Sequence, residues 1–166
     1  MPRWKLGRPA LAGSVALLAA GIVLYGPALA KLVRDWAASD DYSHGFLVAP
    51  LALYFAWRQR GRLAGLEPSP SNTGLLLLLA GLTTLGAGVL GAELFLQRSS
   101  LLLVIAGTIV FLAGWSYLQR LAFPVLFLLL MIPIPSIIFN QIAFPLQLLA
   151  SQAGEAALRT AGVPVL

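Results

Sequence analysis

The sequence predicts an all-α fold, a polytopic membrane helical bundle of about five or six hydrophobic helices, and three observations carry the prediction. Of 166 residues, 59% are hydrophobic and only 10% charged, against about 25% charged in a soluble domain. The mean hydropathy is +0.87. The apolar residues fall in long runs separated by short clusters of charge, proline and glycine. Too few polar side chains remain to face water, which argues against an ordinary soluble globule and against disorder. A length of 166 residues accommodates about five or six spans in a single transmembrane domain, 1–166.

Leu11 to Val33 is the first apolar run, preceded by Arg3, Lys5 and Arg8. Ala28-Leu29-Ala30 resembles a signal-peptide cleavage site, but the run is longer than a signal core of about 7–15 residues, which favours an uncleaved span. Gly45 to Trp57 is shorter, with Pro50 near its start and Trp57-Arg58-Gln59-Arg60 at its exit. Two readings of it stand, a short or tilted crossing and a helix lying at the interface. Gly61 to Thr73, with Pro68, Ser69, Pro70, Ser71 and Asn72, reads as a loop. Gly74 to Leu90 is a third span, in which Ala80, Thr84, Gly88 and Ala92 recur every four residues as a packing stripe. Ser100 to Trp115 is a fourth.

A fifth run starts at Leu121 and stops at Ile132-Pro133-Ile134-Pro135, where two prolines force extended backbone. Ile137 to Leu149 follows, interrupted by Pro145. Asn140, Gln147, Ser151 and Glu155 share one face at about 100° per residue. Such a stripe faces protein or a wet cavity, or else marks a helix lying at the interface. Glu155 and Arg159 are spaced to pair. Trp4, Trp36, Trp57 and Trp115 stand near the ends of runs, as an aromatic belt would.

The net charge of +5 comes from 11 Lys/Arg against 6 Asp/Glu. The basic residues lie between apolar runs, so they read as orientation signals and not as a nucleic-acid surface. Arg3, Lys5 and Arg8, then Arg58, Arg60 and Arg62, then Arg120 fall on one side. Asp35, Asp40 and Asp41, then Glu93 and Arg98, fall on the other, with Lys31 and Arg34 weakening the contrast. The N-terminus is therefore expected in the cytoplasm if the second run crosses, with Asp40 to His44 and the Pro133/Pro135 turn outside.

Cysteine is absent, so these residues offer no thiol nucleophile, disulfide or thiolate metal site. The one histidine lies in Asp40-Asp41-Tyr42-Ser43-His44-Gly45, where carboxylate, hydroxyl and imidazole fall within five residues at an expected membrane edge. An imidazole can give or take a proton near neutral pH. A polar helix start with an interfacial tyrosine explains the same residues. No phosphate loop, Gly-x-Ser-x-Gly elbow or His-Glu-x-x-His pair occurs. No metal, cofactor or nucleic-acid partner is expected, and lipid is.

Three blocks together resemble the exosortase family. They are Asp41-Tyr42-Ser43-His44-Gly45 with Pro50 and Trp57-Arg58; Phe123-Pro124 leading to Ile132-Pro133-Ile134-Pro135; and Pro145-Leu146-Gln147 through Gln152, then Gly162-Val163-Pro164-Val165. Their order is similar to the N-terminal half of an exosortase. The resemblance implies a bacterial inner-membrane cysteine protease or transpeptidase. Its substrates are secreted proteins with a C-terminal Pro-Glu-Pro motif, a membrane anchor and a basic tail, and it is linked to exopolysaccharide export. The family's Cys, Arg and His are expected after Leu166, so none maps onto this chain. That leads to the expectation of an inactive fragment, or one half of a split enzyme whose partner carries the thiol. Asp41, Tyr42, Ser43 and His44 are then candidate substrate-facing residues on the outer side, and Asn140, Gln147, Ser151 and Glu155 a candidate polar stripe. A small multi-span transporter and a non-catalytic assembly subunit are the alternatives. The expected orientation predicts that Ser43→Cys, the sole thiol in the chain, reacts with an impermeant maleimide added outside. Labelling only from the cytoplasm contradicts it.

Overall fold

The computed structural model describes residues 8–162, with side chains from residue 19 onward except Ser136. The described residues are helical and contain no strand. In chain order the helices are α1 (Arg8–Ala38), α2 (Gly45–Arg58), α3 (Arg60–Ala64), α4 (Thr73–Leu90), α5 (Leu94–Ala113), α6 (Trp115–Phe127) and α7 (Ser136–Thr160). Short 3-10 turns cover Asp40–Tyr42 and Leu128–Met131. The chain divides into two compact units, one ending at Ile132 and one beginning at Pro133. Among the described residues, α4 and α5 are long and apolar enough to cross a membrane, and Trp115–Met131 is a shorter apolar segment.

The centre of the first unit is the α4/α5 hairpin. Gly74, Gly81 and Gly88 are all buried and recur every seven residues. A Cβ on Gly74 would meet the Phe111 backbone. One on Gly81 would lie 2.7 Å from the Val104 side chain, and one on Gly88 2.7 Å from the Gln97 nitrogen. The partners 111, 104 and 97 are themselves seven apart, so the helices run antiparallel in one register along their whole length. Gly107 completes the seam from the other side, where a Cβ would lie 2.7 Å from the Leu78 nitrogen. In lipid, such backbone approach is a principal source of helix association. The packing stripe expected at Ala80, Thr84, Gly88 and Ala92 is therefore corrected: Ala80 and Ala92 are exposed, and the seam follows a seven-residue period, as near-parallel helix packing requires.

Several boundaries also move. α5 begins at Leu94, not Ser100, because its polar first turn finds internal partners. Gln97 Nε2 donates to the Gly88 carbonyl at 2.9 Å, and Arg98 pairs with Asp35. Arg98, expected in a connection, is thus inside a helix and only 4% exposed. α6 begins at Trp115 because Gly114 alone turns the chain, with φ +97°. A Cβ there would strike the Ser69 carbonyl. The expected loop from Gly61 contains α3. α7 runs through Pro145 without a break, although proline leaves the Gln141 carbonyl without its helical donor.

Backbone and side-chain hydrogen bonds collect the helix ends of this unit into two groups. At one, Ser69 and Ser71 donate backbone N–H groups to the carbonyls of Ala113 and Val110. There Trp115 Nε1 also donates to Thr73 Oγ1 at 2.8 Å, and the Tyr117 hydroxyl to the Leu66 carbonyl at 3.0 Å. At the other lie the ends of α1 and α6 and the start of α2. α2 packs lengthwise on α6, with Phe55 edge-on to Phe123 and Phe127 at ring separations of 5.1 and 5.4 Å.

The glycine seam predicts that Gly81→Leu destabilises the chain in detergent micelles by about 1–3 kcal/mol, as overpacking does. Gly86→Leu, where nothing lies within 4 Å, stays within about 0.5 kcal/mol. Equal shifts in the unfolding midpoint contradict the seam.

Candidate functional site

The α1/α6 end is built on a broken helix. α6 tightens into the 3-10 turn Leu128–Met131 before Ile132-Pro133 carries the chain into extended backbone. The last carbonyls of a helix have no partner within it, and in apolar surroundings each needs a donor. Two side chains supply them. Trp36 Nε1 donates to the Met131 carbonyl at 2.9 Å, and His44 Nε2 lies 3.1 Å from the Leu130 carbonyl. A carbonyl only accepts, so His44 carries its proton on Nε2 in this geometry, and a neutral ring keeps its Nδ1 lone pair.

Gly45 explains the Tyr-Ser-His-Gly order. It is buried, and a Cβ would overlap the Trp36 indole. The indole packs edge-on to Phe46 at 5.3 Å. Trp36 is itself buried with Leu32, Val48, Met131 and Ile132, and Tyr42 packs against this cluster. Trp36 is therefore a core residue, not part of an aromatic belt, whereas Trp57 and Trp115 are exposed. Trp4 lies outside the described residues.

Asp40, Asp41, Ser43 and His44 are exposed and Tyr42 half-buried. The Ser43 hydroxyl donates to the Asp40 carbonyl at 2.8 Å, closing the 3-10 turn. It does not pair with His44, so the block holds no nucleophile–base couple of the kind used in acyl transfer. It leaves carboxylate, hydroxyl and imidazole groups exposed beside the Trp36 cluster.

The residue before Trp36 forms an ion pair that sequence reasoning missed. Asp35, the neighbour of Trp36, meets Arg98 on α5. Arg98 Nε and Ser99 Oγ are buried without a protein partner. Ser100 Oγ bonds the Tyr25 hydroxyl at 3.0 Å and the Gln97 carbonyl at 2.6 Å. The signal for the pair was a lone Arg at the edge of an apolar run together with an Asp at the edge of another.

The second unit holds the polar stripe by itself. Asn140, Gln147 and Ser151 are exposed along α7, and Glu155 is half-buried and pairs with Arg159 at 2.6 Å. Ile138, Phe139, Ile142, Phe144, Leu148 and Leu149 are also exposed, so α7 offers both apolar and polar surface.

The family model for transmembrane exosortases (Exosortase_EpsH) matches residues 36–166. The match begins at Trp36, the indole that holds the Met131 carbonyl. No curated protein and no solved structure matches the chain.

Proposed function

Because the chain belongs to the transmembrane exosortase family, we propose that it forms the membrane scaffold and the substrate-facing outer mouth of a protein-sorting peptidase. The observation that carries this reading is the meeting of two family-like blocks at one end of the first unit. The Tyr42-Ser43-His44-Gly45 block holds, through His44 and through Trp36 packed on Gly45, the helix end that leads into Ile132.

In this reading the chain is a multi-pass protein of a bacterial inner membrane with its N-terminus in the cytoplasm. The helix ends joined at His44 and Leu130 face outward. α2 then crosses, which its lengthwise packing on α6 supports. The substrates are secreted proteins with a C-terminal Pro-Glu-Pro motif ahead of a membrane anchor, and the physiological setting is exopolysaccharide export. Asp41, Ser43 and the outer edge of His44 hydrogen-bond the peptide near the scissile bond. Asn140, Gln147, Ser151 and Glu155 line a wet face towards the remainder of the enzyme.

The residues here contain no thiol. The nucleophile therefore belongs to a segment outside this sequence, on the same polypeptide or on a partner half. Without it the chain is inactive. With it, thiolate attack on the scissile carbonyl forms a C–S bond as the C–N bond breaks, and the C-terminal segment leaves as a protonated amine. An amine or water then cleaves the thioester and frees the thiol. In an active exosortase carrying this block, His44→Ala lowers processing of a Pro-Glu-Pro reporter about tenfold. His44→Gln, which keeps a donor near the Leu130 carbonyl, retains more activity. Unchanged processing in His44→Ala overturns the placement.

A further inference from the structure

The other end of the first unit carries a site of a different kind. The apolar stretch of α2 ends at Trp57 and is followed at once by Arg58, Arg60 and Arg62. Arg60 lies over the Trp57 ring, 3.6 Å from its centroid, and is committed there. Arg58 and Arg62 are not. With Phe55, Gln59 and Phe123 they line a groove of about 310 Å3. Phe55 and Phe123 meet edge-on along its apolar side, where Phe123 is 58% exposed, and the arginines and Gln59 make the larger part of its lining polar. Arg62 reaches only Gln59 Oε1, at 3.5 Å. Among the described residues, neither Arg58 nor Arg62 has a carboxylate partner.

We infer that this groove binds one anionic phospholipid, its phosphodiester between Arg58 and Arg62 and an acyl chain along Phe55 and Phe123. The charge complementarity is specific in kind. A guanidinium fork matches phosphate oxygens in pairs, and a cation at a lipid surface that lacks a protein counter-ion takes one from the headgroups. The phenyl edge selects the source of the phosphate, because a hydrated free anion gains nothing from an exposed phenyl ring. A topogenic role alone needs arginines on the correct side of the membrane. It does not need them lining a groove edged by phenyl rings. The inference stands apart from the catalytic reading, since it concerns the end of the unit away from His44.

The test is native mass spectrometry of the full chain released from micelles with equal phosphatidylglycerol and phosphatidylcholine. Each guanidinium facing an anionic lipid is worth about fivefold in binding. Phosphatidylglycerol should be retained at least that much over phosphatidylcholine, and Arg58→Gln with Arg62→Gln should bring the ratio near one. Arg159→Gln, whose guanidinium lies 2.6 Å from Glu155, should leave it unchanged. Glycerol phosphate added in excess should not displace the lipid. A preference that survives the double substitution, or that Arg159→Gln abolishes equally, overturns the site. Displacement by glycerol phosphate overturns the lipid and leaves a bare anion site. These surface arginines make no core contact, so circular dichroism of the double variant should match the parent.

Discussion

A helix that ends in apolar surroundings must hand its last carbonyls to donors from elsewhere, and the end of α6 is the place where this chain meets that demand. The Leu130 and Met131 carbonyls receive His44 Nε2 and Trp36 Nε1. Leaving the buried Met131 carbonyl unpaired costs about 1–3 kcal/mol. Several features of the sequence follow from it. Trp36 must reach across to α6, so α2 must begin with a residue that leaves room for the indole, and Gly45 is that residue. The block before it closes as a 3-10 turn held by Ser43 on the Asp40 carbonyl. That turn sets His44 beside Leu130.

The same stretch of α1 holds α5. Asp35 precedes Trp36, and its carboxylate compensates an arginine that is 4% exposed. Removing the carboxylate would leave a buried guanidinium uncompensated, whereas forming the pair yields little net stability. The pair therefore serves register more than strength: it fixes the end of α1 against the first turn of α5. The strength comes from the hairpin beside it, where glycines at 74, 81, 88 and 107 let the facing helix approach closely. The end of α1 thus meets both the helix that makes the tightest packing and the helix that ends broken.

Most of the helical order was legible in the sequence because apolar runs and proline-rich breaks have strong local signals. The starts of α5 and α6 were not. Gln97, Arg98 and Ser99 look like a connection until the Gly88 carbonyl and Asp35 are known to sit beside them, and those are tertiary facts. Gly114 looks like one more glycine in an apolar run until the Ser69 carbonyl closes the space for a Cβ. The small-residue stripe was read at a four-residue period because that pattern is visible within one helix. The seven-residue period acquires meaning only against its partner. At the site, the polar block was legible as a cluster, but not the roles within it. Ser43 closes a turn, Tyr42 joins the core, and His44 caps a helix from another part of the chain.

That division of labour suits a scaffold. The side chains that hold the end of α6 do so by bonding its backbone carbonyls. The most direct check is the Met131 carbonyl itself. The chain has only two methionines, so methionine labelled with carbon-13 at its carbonyl gives two resonances, from Met1 and Met131. Accepting a hydrogen bond deshields a carbonyl carbon, so Trp36→Phe should move the Met131 resonance upfield and leave Met1 in place. An unmoved Met131 resonance in that variant would mean the indole does not hold the helix end, and the account built on it would fall.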